Sequence, residues 1–305
     1  MTVLLRWRAP VLSRAHNQEM ILKMMTTAVA VAALAAVAVQ AQAAEGSRWR
    51  EGIGFYIGVD SLANATGTFA GLANPNANRL TMLFDHGNHF HGIGAYSYSG
   101  TAAAPVTLPT NSNNRIPETY ARTNPDNQAL ALTAGTGAFA GKLVSAVQSS
   151  GVNHEYGHLG AASIQSLVGL SPEADVLYGS SSGRYSQVYD GVLVGLKLES
   201  ATAGLKVAAN GDLDLFDTSN VAVLGDGHSF SFLPTFYVDA DAAAGTYTAQ
   251  FSLVNLGTNQ SVLNSGTFYI DFAVAPAVPE PSTWALMVAG LSTLGAVARR
   301  RKNAA

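Results

Sequence analysis

The sequence predicts a mostly β fold, a single β-sandwich or jelly-roll-like domain, and three observations carry that expectation. The middle of the 305-residue chain alternates short apolar runs with clusters of Gly, Asn, Ser and Pro, the signature of short strands separated by turns. Some runs alternate with period two, with Tyr247, Ala249, Phe251 and Leu253 set against Thr246, Thr248, Gln250 and Ser252. That is the pattern of a half-buried strand. The long helix-compatible apolar stretches fall only at the two ends, which read as processing segments outside the fold.

In chain order, strands are expected at 53–59, 80–84, 90–98, 192–198, 205–208, 229–238, 246–254 and 267–274, each an apolar run bounded by turn residues. Residues 99–127, rich in Thr, Asn and Pro, read as a long surface loop, with 114–118 docking it back. Residues 158–170 fit a strand or a short helix, and periodicity does not decide between them. No internal repeat and no domain boundary is evident, so 44–275 reads as one β-rich domain, large enough to pack without staples.

The N-terminus has the three parts of a secretion signal. Lys23 supplies the charge, Ala28 to Val39 the apolar run, and Ala41-Gln42-Ala43 the small-x-small cleavage site. Residues 1–43 are therefore a signal peptide, cleaved after Ala43. The long polar stretch before Lys23 places the true start at Met20 or Met24. At the C-terminus, Val278-Pro279-Glu280-Pro281 is an extended breaker. An apolar helix-compatible run follows from Ser282 to Ala298, and Arg299-Arg300-Arg301-Lys302 closes it. Basic flanks stay cytoplasmic, so the segment reads as a membrane-entering helix at the short end of the spanning range.

Removing the ends changes the charge. Eight of the 17 basic residues and two of the 20 acidic ones lie there, which leaves 9 basic and 18 acidic residues, a net of −9, in the middle. An acidic, lightly charged domain argues against nucleic acid and is compatible with cation capture. The absence of cysteine excludes disulfides, thiolate metal sites and a cysteine nucleophile.

The histidines are clustered. His86-Gly87-Asn88-His89-Phe90-His91 holds three, His154-Glu155-Tyr156-Gly157-His158 holds two, and His228 stands alone. On a strand, residues two apart share a face, so His89 and His91 can converge on one cation while His86 folds over from the turn. Three neutral imidazoles and an open position suit Zn²⁺, with Asp85 or Asn88 orienting a ring. His154-Glu155-x-x-His158 matches the zinc-protease pattern, in which two histidines on one helical face bind zinc and the glutamate is the base. Gly157 and Gly160 disfavour the helix it needs, so His158 is expected to join the first cluster instead. The carboxylates of 210–217 lack calcium-loop spacing and read as a solvated turn.

The C-terminal order of Val-Pro-Glu-Pro-Ser, apolar run and Arg cluster closely resembles the PEP-CTERM sorting signal of Gram-negative bacteria. That resemblance implies removal by an exosortase near Pro279, Glu280 and Pro281 after export by the secretion machinery. Leu83 to Tyr98, Asn114 to Glu118, Tyr156 to Leu159, Ser181 to Arg184 and Ser265 to Phe272 resemble a zinc-uptake-regulator-repressed PEP-CTERM family. Proteins of that family are made under zinc starvation, so the resemblance implies surface zinc capture or handling. Carried over residue by residue, the resemblance supports His86, His89, His91 and His158 as metal ligands and says little of His154 or His228. The expected protein is a non-catalytic, exported zinc binder of the cell envelope, initially anchored in the inner membrane by its C-terminal helix and serving surface polysaccharide. The alternatives are a zinc-dependent hydrolase using Glu155 and a matrix or adhesion protein with no metal role.

Overall fold

The computed structural model of the protein describes residues 51–118, 128–147, 153–187, 189–276, 286–294 and 299. The expected signal peptide with Ala43, the expected processing residues Pro279, Glu280 and Pro281, and the His154 side chain lie outside the described residues. The fold is mostly β, 42% strand against 15% helix, with sheets that form a curled half-barrel.

The first sheet is built on β1 (Ile53–Val59) and β2 (Leu80–Asp85), paired antiparallel. β3 (Phe90–Ile93) adds to β2 as one edge. β9 (Gly160–Ser163) runs parallel to β1, and β13 (Ser231–Phe232) closes the other edge. The apolar runs of β1 and β2 do not alternate because both faces of this sheet are covered. Phe55, Ile57, Met82 and Phe84 point into the main core; Tyr56 and Leu83 point the other way, into a second cluster with Phe90, Ile164, Leu167, Ala174 and Leu177. Each large side chain so buried contributes about 1.5–3 kcal/mol.

The cover on that second face includes a helix absent from the sequence reading, α1 (Pro172–Tyr178). Its signals were nonetheless local. Ser171 caps it by accepting the Ala174 N–H at 3.1 Å, and Pro172 occupies the first turn with Glu173 and Asp175.

The second, nine-stranded sheet forms the opposite wall. Its centre is β15 (Gly245–Asn255) and β16 (Thr267–Val274), antiparallel, with β10 (Leu193–Ala201) and β12 (Val221–Asp226) beyond β15. On the other side of β16 come β7 (Leu130–Ala134), β8 (Lys142–Ser145), β14 (Thr235–Asp239) and β11 (Lys206–Ala208), in that order. The period-two pattern of β15 places Tyr247, Ala249, Phe251 and Leu253 inward, each 9% exposed or less. There they meet Phe236, Phe268 and Phe272 in the core between the sheets.

Three expectations change. The expected strand 90–98 is broken at Gly94 (φ +66), where chain direction turns into β4 (Ser97–Thr101). β4 pairs in a hairpin with β5 (Ala104–Leu108), an exposed strand inside the expected long loop. The expected strand 229–238 is two strands in two sheets, because Leu233-Pro234 carries the chain across. A short local repeat is present where none was expected. Thr66-Gly67-Thr68-Phe69-Ala70-Gly71 and Thr136-Gly137-Ala138-Phe139-Ala140-Gly141 form matching 3-10 turns, each entered through a positive-φ glycine.

Candidate metal centre

The site begins as a hairpin between β2 and β3. Asp85 Oδ1 accepts the Gly87 N–H at 2.5 Å, Gly87 takes φ +85, and the His86 N–H donates to the His89 carbonyl at 3.1 Å. This tight loop holds His86 and His89 close together, and strand pairing sets His91 opposite Phe84. The three rings gather, with centroids 4.1 Å apart for His86 and His91, 5.0 Å for His89 and His91, and 5.2 Å for His86 and His89. His89 Nε2 lies 3.1 Å from His91 Nε2.

A fourth group comes from another part of the chain and was not among the expected ligands. Glu118 follows β6 (Arg115–Ile116), which runs parallel to β16. The Gly94 N–H bonded to the Asn113 carbonyl (3.1 Å) and the Tyr269 N–H bonded to that of Asn114 (2.8 Å) dock this segment. Glu118 is only 2% exposed. Its Oε1 accepts from His91 Nδ1 at 2.8 Å, and its Oε2 is 3.6 Å from His86 Nε2. Metal-ligating atoms of His86, His91 and Glu118 lie within 4.8 Å of one another. The sequence signal for Glu118 was weak: a glutamate at the end of the docking segment.

Charge and burial compete here. Burial alone would push the Glu118 carboxyl up, but hydrogen bonding from His86, the charge of His91 and its hydrogen bond hold it below the ordinary 4.5. The Glu118 carboxylate raises His86 above 6.5, with a further contribution from Glu155. Burial, then repulsion from His91 and His86, lowers His89.

His158 is placed elsewhere, which corrects the expectation that it completes the cluster. It lines a surface cavity of about 400 Å³ with Glu51, Val147, Leu233 and Pro234, and burial lowers its pKa. It sits there because β9 packs against β1 so closely that a Cβ on Gly54 would meet the His158 carbonyl at 2.2 Å. The neighbours of His158 that do approach the cluster are Glu155 and Tyr156. Tyr156 stacks on Phe84 at 4.8 Å, and Phe84 meets His86 edge-on at 4.8 Å. Residues 154–156 form one 3-10 turn, which does not offer the i, i+4 helical face that a zinc-protease motif requires. His228 is remote and exposed, 3.2 Å from Asp190. In the carboxylate cluster of 210–217, Lys206 pairs with Asp214 at 2.8 Å.

These features define a class: a mostly β protein with an imidazole and carboxylate cluster at one sheet edge and a separate C-terminal tail. Residues 277–302 match the family model described as the PEP-CTERM protein-sorting motif. The chain carries this sorting motif at its C-terminus, which supports export and exosortase sorting to the cell envelope or surface. A search of curated proteins finds no match to the chain. Residues 286–294 of the tail are helical and exposed, and among the described residues no helix is long and apolar enough to cross a membrane.

Proposed function

We propose that this protein captures a divalent cation, zinc, at the cell surface through His86, His89 and His91 with the support of Glu118. It does so as a binder and not as a hydrolase. The observation that carries the reading is the convergence of two imidazoles, His86 and His91, on one buried carboxylate, with the His89 ring against His91, within a domain otherwise sparse in charge. Imidazole and carboxylate together suit zinc, and a site without thiolate suits exchange over permanent structural binding. The resemblance to zinc-repressed relatives points the same way. Under this reading residues 44–275 form the mature binding domain, and the C-terminal helix holds it in the inner membrane until processing. Surface polysaccharide is the partner it would serve.

The test is zinc titration of the purified full chain beside a His89→Ala, His91→Ala double variant. Stoichiometric binding by the wild type and loss in the variant are expected. Equal binding by both proteins rejects the site. Binding by neither rejects zinc capture and leaves a matrix or adhesion role standing.

A further inference from the structure

The side of the histidine rings on which the ion sits can be read from hydrogen-bond donors and acceptors. His89 Nδ1 lies 2.6 Å from Asn88 Oδ1, and His91 Nδ1 lies 2.8 Å from Glu118 Oε1. An amide oxygen and a carboxylate oxygen only accept, so both Nδ1 atoms carry the proton. Zinc takes neutral imidazole, and a neutral ring protonated at Nδ1 keeps an in-plane lone pair on Nε2. Those two lone pairs face one another across 3.1 Å. With both rings neutral the two lone pairs cannot bond to each other, and a cation between them turns repulsion into ligation. Two nitrogens on one tetrahedral zinc, each about 2.0–2.1 Å from the metal, stand roughly 3.3 Å apart, close to the span observed.

Resting on the metal-binding reading above, we infer that the ion sits on the Nε2 side of His89 and His91. Glu118 is then not a ligand but a positioning residue that fixes the tautomer and ring plane of His91. Its own environment agrees. Besides His91 Nδ1 at Oε1, its Oε2 receives the Tyr156 hydroxyl at 3.2 Å and faces His86 Nε2 at 3.6 Å. The carboxylate is buried behind His91, whereas His89 is exposed. A carboxylate backing a ligating histidine is a common outer partner of metal sites and supports affinity without binding the metal. His86, its ring 4.1 Å from that of His91, supplies the next imidazole. His89 is the exposed member of the pair, which puts the ion at the surface end of the cluster, as capture followed by hand-over requires.

The experiment compares Co²⁺ and Zn²⁺ binding by the full chain, His89→Ala and Glu118→Gln. It adds the imidazole ¹⁵N shifts of the metal-free wild type at pH 8. Glu118→Gln keeps an oxygen that can accept from His91, so it should bind one ion with affinity reduced tenfold to a hundredfold. Its Co²⁺ absorption spectrum should match wild type, while His89→Ala should lose the site. The ¹⁵N shifts should report Nδ1–H tautomers for His89 and His91. Loss of binding in Glu118→Gln with unchanged binding in His89→Ala would put the ion in the carboxylate group and overturn the inference while leaving metal capture intact. Nε2–H tautomers would overturn it independently of any metal. A wild-type chain that binds no metal would reject the underlying reading instead.

Discussion

The Tyr156 hydroxyl holds Glu118 from two sides, accepting the Glu118 N–H at 3.0 Å and donating to Glu118 Oε2 at 3.2 Å. Burial, with the charge of Glu118 adding to it, pushes the Tyr156 phenol far above its ordinary 10.0, so it remains a donor. Tyr156→Phe keeps the ring on Phe84 but strips the buried carboxylate of a donor. The expected cost is about 1–3 kcal/mol, read as a lower urea midpoint with an unchanged slope. Zinc affinity should fall in the same variant, because Glu118 loses the contact that aims it at His91.

The cluster should also make stability depend on pH in a defined direction. His86 has a folded pKa raised above 6.5, so its contribution is fully present below 6.5 and is lost as pH rises through the folded value. Glu118 is lowered below 4.5, so its contribution is present above 4.5 and is lost as pH falls through the folded value. The metal-free protein should therefore gain most from this pair between the two ordinary values. Zinc needs neutral imidazole, and its stabilisation should grow as pH rises past that window. Thermal unfolding from pH 4 to 8.5 with and without zinc measures both arms. A zinc effect that is larger at pH 5 than at pH 8 would contradict histidine ligation.

Helix α1 should be a structural cover for the five-stranded sheet. Leu177 is fully buried against it, whereas Val176 on the preceding position is 66% exposed. Leu177→Ala should cost about 2–5 kcal/mol, and Val176→Ala should stay within about 0.5 kcal/mol. Denaturant unfolding of the two variants side by side decides it, and equal effects would mean that the helix does not pack as described.

Replacing Pro279, Glu280 and Pro281 with Ala should leave a larger, membrane-retained form, since the sorting motif spans these residues. Immunoblots of envelope and medium fractions against wild type check this. A variant matured and released normally would show that the three residues do not govern removal.

Local chemistry made much of this protein legible. The sorting tail is a linear signal that needs no fold. The strands with period-two alternation, β15 above all, announce themselves because one face is buried and the other is not. The gathering of His86, His89 and His91 is likewise local, since a four-residue hairpin loop and an i, i+2 relation bring them together whatever surrounds them. The cap and proline of α1 are local signals too, but a seven-residue helix is too short for periodicity to mark it.

What only the tertiary structure decided is the rest of the site. Glu118 stands 27 residues beyond His91 and Tyr156 a further 38. No spacing rule connects them, because they meet through the docking of 113–118 between the two sheets. His158 looked equivalent to Glu155 and Tyr156 along the chain, yet strand pairing of β9 with β1 turns it toward another cavity while its neighbours face the histidines. Covalent neighbourhood determined which imidazoles could meet. Long-range packing, by excluding water around one carboxylate, determined which acid would orient them.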